Sequence, residues 1–363
     1  MIRHLIRPEI QRLQRVTDTF EDRFDYLRLD KNEHLKPFDQ QLFEHFKSTI
    51  TSEDITAYPE LGPLYRKLSH ILAVNKDQLF LSAGSDMAIR SIYLSCIERG
   101  DNVVVPFPCY AMYNVYAHMF GANDKRVSLT RDWLPDIDVM LGHVNKRTKI
   151  FVLENPSGTV GLSPTIEQIQ YCASKLCQMQ VILLIDEVYI FIEKQISEAI
   201  RLIDHYPNVI IVQSFSKSHG LAGVRLGYLI GNAELIQYIS RVRPMHEIGS
   251  LTESAALWVL DHPEILLDYQ RSITESKDFL KNELIRLNIL YKDTSANFMM
   301  LYLPDECVAG NIRTRIKGHN ILIREAFSAP SCLKGWIRIT VGSLSDCKRF
   351  IEALTSVLRP YKL

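Results

Sequence analysis

The chain has no excess charge of either sign: among its 363 residues Lys and Arg total 42, and Asp and Glu total 42. No global field favours nucleic acid or an anionic membrane, so any basic cluster is local. Paired cysteines are also missing. The seven that occur (Cys96, Cys109, Cys172, Cys177, Cys307, Cys332, Cys347) are odd in number and scattered, with no CxxC and no Cys/His grouping at zinc spacing. They read as reduced thiols, most of them core residues, and no metal site is expected. No apolar run reaches the roughly 18 residues of a membrane span. The opening Met1-Ile-Arg-His-Leu-Ile-Arg7 lacks the apolar stretch of a signal peptide. A cytoplasmic protein is expected. Internal repeats, low-complexity tracts and Pro/Gly/Ser-rich linkers are absent as well.

What remains is ordinary globular composition, 47% hydrophobic and 23% charged. The length suits one large domain with a smaller companion, or two comparable ones. From about residue 60 to 245, short β-branched runs alternate with helical stretches. The runs are Gln78–Ser82, Asn102–Pro106, Lys149–Leu153, Val181–Ile185, Val209–Val212 and Gly227–Gly231, with Ser85–Arg99 and Ser163–Gln178 among the helices. Several runs are apolar at nearly every position, as strands covered on both faces must be. The alternation predicts a three-layer α/β domain with a mainly parallel sheet. Beyond about residue 250 the texture changes. A long amphipathic stretch, Thr252–Asn288, precedes Asn297–Tyr302, Ile321–Arg324, Trp336–Val341 and a closing helix, Ser345–Leu358. The expected division is an N-terminal segment, 1–45, packing on the small domain, a large domain, 46–248, and a small α+β domain, 249–363.

In an open α/β sheet, ligands sit outside the carboxyl ends of the strands, and five expected strand ends carry suitable residues. Val209-Ile-Ile-Val212 leads into Ser214-Phe-Ser-Lys217-Ser-His-Gly-Leu-Ala-Gly-Val-Arg225-Leu-Gly227. An amine there can form a Schiff base with an aldehyde, while hydroxyls and a guanidinium can hold a phosphate. Together they describe an anchor for pyridoxal 5′-phosphate; the plain alternative is a solvated Lys/Arg pair. Gly84-Ser85-Asp86 opens a helix whose free N–H groups can cradle a phosphate, or it is a simple helix start. Tyr110 can stack on a flat ring or can be a packing tyrosine. Asn155, in Asn-Pro-Ser-Gly, can donate to a phenolate oxygen or can be a turn residue. Asp186, in Asp-Glu-Val-Tyr189, ends a run too apolar for an unpaired charge. A pyridinium nitrogen would partner it, unless it only caps a helix. Tyr189 can donate to the same phenolate as Asn155.

In order, these motifs (Gly-Ser-Asp, Tyr, Asn-Pro-x-Gly, Asp-Glu-x-Tyr, Ser-x-Ser-Lys, Leu-Ala-Gly-x-Arg) resemble those of fold-type I pyridoxal-phosphate-dependent aminotransferases, most closely the histidinol-phosphate aminotransferase branch. The resemblance runs from about Leu29 to Val341. It implies that Lys217 is the Schiff-base lysine and proton shuttle, that Asp186 binds the pyridine nitrogen, and that Asn155 and Tyr189 bind the ring hydroxyl. Tyr110 would stack on the ring, while Gly84, Ser85, Asp86, Ser214, Ser216 and Arg225 would hold the phosphate. Tyr58 matches the tyrosine that reaches the neighbouring subunit's site, implying a homodimer with shared active sites. Asn32, Arg324 and Arg338 would bind substrate, and Asn297 matches a position near that pocket.

The N-terminal departures lie at the substrate end. Leu29-Asp-Lys-Asn32-Glu33-His34-Leu-Lys-Pro37 keeps an Asn-Glu pair but has His34 for an asparagine. Charged stretches, Arg12–Arg15 and Thr17–Arg23, stand before it, and Pro244–Gly249 also differs. The activity implied is amino transfer from an amino acid such as glutamate to a keto or aldehyde acceptor carrying phosphate or carboxylate. Its rivals are a phosphoamino-acid decarboxylase using the same cofactor set, and a non-catalytic cofactor-binding homologue. The last would usually have lost Lys217 or Asp186, and both are present.

Overall fold

The computed structural model describes residues 2–13, 22–303, 306–327 and 329–361; Arg15 and Thr17 to Glu21 of the charged N-terminal stretches lie outside them. The strands are β1 (Leu27–Arg28), β2 (Leu79–Ser82), β3 (Asn102–Phe107), β4 (Asn123–Ser128), β5 (Thr148–Glu154), β6 (Ile182–Asp186), β7 (Val209–Ser214), β8 (Gly227–Gly231), β9 (Tyr291–Lys292), β10 (Phe298–Tyr302), β11 (Ile321–Leu322) and β12 (Trp336–Thr340). Seven of them form one sheet in the order β2-β8-β7-β6-β5-β3-β4. All its pairings are parallel except those of β8, which runs antiparallel to both β2 and β7.

Side chains alternate across this sheet with the period of two that a pleated strand imposes. Phe151, Leu153, Leu183 and Ile185 enter one apolar core, while Val152, Leu184, Ile210 and Val212 enter another on the opposite face. Helices cover both faces, among them Ser85–Cys96 and Ile166–Gln178, the latter started by a reciprocal capping pair, Thr165 and Gln168. The three-layer α/β domain expected from the buried runs is therefore present. β4 was not foreseen. Its sequence, Asn-Asp-Lys-Arg-Val-Ser, buries only Val127 and forms the polar edge of the sheet. Charged edges discourage pairing with other chains, but they erase the apolar signature of a strand.

The C-terminal part has its own antiparallel sheet, β12-β10-β9, in which Phe298 pairs with Thr340 and Met300 with Arg338. The long stretch expected over Thr252–Asn288 is two helices, Ser250–Asp261 and Pro263–Arg286. Pro263 has no N–H to donate and drives His262 out of the helical region (φ −122°, ψ 66°). Pro263–Arg286 and the closing helix Leu344–Leu358 bury Leu280, Leu284, Phe350 and Leu354 against β10 and β12.

The N-terminal residues are shared among several neighbours. The short helix Pro8–Arg12 lies beside Ala111–Met119, with the Arg7 guanidinium donating to the Met119 carbonyl at 3.2 Å. β1 pairs in parallel with β11, and Leu27 and Leu29 join the C-terminal core. Helix Gln40–Thr49 sets Phe46 against Trp258, with ring centroids 5.1 Å apart. Among the described residues, no helix is long and apolar enough to cross a membrane, and no cluster of three or more His, Cys, Asp or Glu could hold a metal ion.

Candidate active site

The carboxyl ends of the parallel strands bring most of the singled-out residues to one edge. At the end of β2, Gly84 adopts φ 85°, and a Cβ built there would lie 2.5 Å from Nη2 of Arg225. The positive φ favours glycine there, and any side chain would also have to displace that guanidinium. Arg225, itself left-handed at φ 57°, donates to Ser216 Oγ at 3.4 Å and to the Ala222 carbonyl at 3.2 Å. Ser214 Oγ donates to the Leu226 carbonyl and accepts the Ser216 amide at 3.1 Å, which folds the turn ahead of Lys217. First-turn helix amides, a guanidinium and a serine hydroxyl together form a cradle for a phosphate dianion.

Asp186 ends β6 and is buried. Its Oδ2 accepts the Tyr113 hydroxyl and its Oδ1 the Val188 amide at 3.0 Å. Burial raises its pKa above the ordinary range, and these two donors only partly offset it. Both partners are neutral, so a buried cation at this carboxylate would be strongly favoured. A protonated pyridine nitrogen supplies one, and the strand ends fit pyridoxal phosphate on that ground as well as at the phosphate cradle.

The Lys217 amine, on the loop after β7, donates to the Lys31 carbonyl at 2.9 Å and lies 5.7 Å from the centre of the Tyr189 ring. Tyr189 Oη accepts the side-chain amide of Asn32 at 3.0 Å. Asn32 is itself left-handed at φ 54°, with its N–H on Thr340 Oγ1 at 3.0 Å and its carbonyl accepting from Asn297 at 3.2 Å. Asn155 donates one amide N–H to Glu187 at 3.0 Å and has a second to offer. Tyr110 is partly exposed; its hydroxyl donates to Asp86 at 3.4 Å, and burial together with that carboxylate raises its pKa, keeping the phenol protonated.

Arg338 on β12 is 5% exposed and lies over the Phe298 ring, 5.0 Å from its centre. It donates from Nη1 to the Gly158 carbonyl, while its Nε is buried without a partner. Burial first, then repulsion from Arg324, brings its pKa down to about 10, so it remains a cation at neutral pH. A buried guanidinium with an idle N–H and a second arginine nearby is arranged to receive an anion. Arg324 is exposed just beyond β11. Tyr58 is exposed too, stacked on His246 with centroids 4.3 Å apart.

Three site residues escaped the sequence reading. Tyr113, three residues beyond Tyr110, donates its hydroxyl to Asp186. Glu187 is fully enclosed, accepting from Ser197 Oγ (2.7 Å), Gln213 Nε2 (2.8 Å) and Asn155, and burial pushes its pKa up to about 7. Glu154, at the end of β5, is buried next to Asp186 and is likewise pushed up to about 7, by burial first and by Asp186 second. For Glu154 and Glu187 the available signal was a polar side chain at or next to the end of a buried apolar strand; Tyr113 lies within the helix Ala111–Met119 and carries no such mark.

This arrangement defines a pyridoxal-phosphate enzyme, and residues 35–354 match the family described as aminotransferase class I and II. The chain belongs to that family and is a pyridoxal-phosphate-dependent aminotransferase. Within it, the chain falls in the histidinol-phosphate aminotransferase branch. It is 28% identical over 363 residues to the histidinol-phosphate aminotransferase of Caldanaerobacter subterraneus, covering 99% of this chain and 100% of that one. With the histidinol-phosphate aminotransferase of Christiangramia forsetii it shares 30% identity over 298 residues, 81% of this chain and 83% of the other. The crystal structure of histidinol-phosphate aminotransferase from Sinorhizobium meliloti, in complex with pyridoxal 5′-phosphate, superposes with a TM-score of 0.89 at 22% identity, covering 98% of each chain.

Proposed function

We propose that this aminotransferase takes the amino group of an amino acid, glutamate in the first instance, and delivers it to a keto or aldehyde acceptor carrying a phosphate or carboxylate, as in the histidinol-phosphate branch. The observation that carries this reading is the convergence of Lys217, Asp186 and the Gly84–Arg225 cradle on one sheet edge, with Arg338 buried beside them and one N–H unpartnered. Bound pyridoxal phosphate supplies the aldehyde that receives the amino group and a ring that withdraws electrons from the substrate Cα.

The chain's own residues do the rest. Lys217 would hold the aldehyde carbon, and its amine, freed by an incoming amino donor, would take the substrate Cα proton and deliver it across the intervening nitrogen to the former aldehyde carbon. Asp186 holds a proton on the ring nitrogen. Asn155 and Tyr189 donate to the ring oxygen, and Tyr110 covers one face of the ring. Gly84, Ser85, Asp86, Ser214, Ser216 and Arg225 hold the phosphate. Arg338, with Arg324 and Asn32, receives the anionic end of the substrate. Tyr58 reaches the site of a second copy, so the working unit is a homodimer in the cytoplasm, each subunit divided at about residues 45 and 248.

The test is spectroscopic. Adding L-glutamate to the purified yellow protein should bleach the yellow band and release 2-oxoglutarate, and Lys217→Ala should abolish turnover. Release of CO₂ from a phosphoamino acid with the yellow band preserved would replace transfer by decarboxylation. A wild-type protein whose spectrum responds to no amine would refute catalysis altogether.

A further inference from the structure

Glu154 has no part in the roles above, yet each of its carboxylate oxygens secures a different loop of the site. Oε1 accepts the backbone N–H of Tyr110 at 2.7 Å, and Oε2 accepts the Ser157 hydroxyl at 2.5 Å. Tyr110 immediately precedes helix Ala111–Met119, whose Tyr113 donates to Asp186. Two carboxylates that face each other in register at neighbouring strand ends thus hold the same helix start, one through its main chain and one through a side chain.

On its other side, Glu154 reaches the turn after Asn155. Ser157 Oγ passes the connection on by accepting the Thr159 and Val160 amides at 3.2 and 3.3 Å. Gly158 lies between Ser157 and Thr159; its carbonyl accepts from Arg338, and a Cβ there would crowd the Tyr189 ring at 3.1 Å. A buried carboxylate beside another carboxylate is an expensive choice. An apolar side chain would avoid the expense but would leave the Tyr110 amide and the Ser157 hydroxyl without an acceptor.

We propose that Glu154 is a positioning residue that ties the Tyr110 ring and the Arg338 anion grip to one strand end, so that ring stacking and substrate binding are set by a single side chain. The proposal rests on the assignment of Tyr110 to the cofactor ring and of Arg338 to the substrate anion. Ser157 is the relay on the substrate side only, and the Tyr110 amide is the relay on the cofactor side only. The two halves can therefore be separated.

Glu154→Ala, Glu154→Gln and Ser157→Ala are compared with wild type for the dissociation constant of pyridoxal phosphate, the visible circular dichroism of the bound cofactor, and KM and kcat for glutamate. Glu154→Ala, which removes both bonds, should raise the cofactor dissociation constant and KM by about five- to tenfold each and alter the dichroism. Glu154→Gln keeps an oxygen for the Tyr110 amide, so its cofactor affinity and dichroism should stay within about twofold of wild type while KM rises. Ser157→Ala should move KM alone. The proposal is overturned if Glu154→Ala matches wild type in both constants, if Glu154→Gln loses cofactor affinity as Ala does, or if Ser157→Ala shifts both constants equally. Should Glu154→Ala not fold, the split between KM and cofactor affinity in the other two variants decides in the same terms. Wild type that takes up no pyridoxal phosphate overturns the site assignment as well; wild type that binds and turns over while the variants equal it overturns Glu154 alone.

Discussion

The Lys217 amine sits 2.9 Å from the Lys31 carbonyl oxygen, across 186 residues of sequence. That carbonyl is aimed by its neighbour Asn32, whose φ of 54° turns the chain back under the hydroxyl of Tyr189. Asparagine enters the left-handed region at lower cost than most residues. Asn32→Ala should lose both the turn preference and the Tyr189 bond, lowering kcat by about tenfold or more, at a strain of about 1–2 kcal/mol. Asn32→Gly restores the turn without the side chain, so its kcat should lie between the two. Steady-state kinetics of the three proteins check the order.

Gly84 makes a second, steric prediction. Gly84→Ala places a methyl group against the Arg225 guanidinium at a backbone angle that L-residues avoid. Cofactor affinity should fall at least tenfold, and Tm should drop by an amount corresponding to about 1–3 kcal/mol. Fluorescence titration with pyridoxal phosphate and a melting curve of the cofactor-free chain separate the two effects.

The buried Glu187 gives the protein a pH signature. Its folded pKa is raised from 4.5 to about 7 by burial. A carboxyl raised on folding favours the native state fully at low pH, and that contribution is lost as pH climbs through about 7. Glu187→Gln removes the titration. Its amide fits the surrounding donors poorly, so it should be less stable at every pH, but the gap to wild type should narrow from about pH 5 to about pH 8, by on the order of 3 kcal/mol. Denaturant melts at both ends of that range measure the gap; an unchanged gap refutes the buried titration.

Arg338 offers the clearest substrate prediction. Arg338→Lys keeps the charge but gives up the planar fork and the stacking on Phe298. KM for an anionic substrate should rise about ten- to a hundredfold, equivalent to about 1.5–3 kcal/mol, with cofactor affinity unchanged. Kinetics with glutamate and a cofactor titration on one preparation decide it.

The sequence revealed those parts of the protein in which burial writes a local pattern. β5, β6 and β7 each carry four consecutive apolar residues because helices cover both faces, and the polar residues that end those strands stand out for the same reason. β4 stayed hidden because an edge strand carries polar side chains, and the break at Pro263 was masked by apolar spacing that continues across it. Contacts such as Tyr113 to Asp186, 73 residues apart, or Asn32 to Tyr189, 157 apart, leave no periodic trace. They exist only once the sheet has ordered its strand ends.

The reversed direction of β8 couples two parts of the site. Because it runs antiparallel to β7, with Ser214 opposite Gly227, the loop carrying Lys217 leaves and returns at the same edge. Both ends of that loop are anchored about 4.8 Å apart by the ladder, with Lys217 near one end and Arg225 near the other. The proposed attachment point for the aldehyde and the proposed clamp for the phosphate would therefore be two jaws of a single hairpin. Fraying of that hairpin would loosen both together, so that local unfolding of one loop would weaken two of the holds on the cofactor at once.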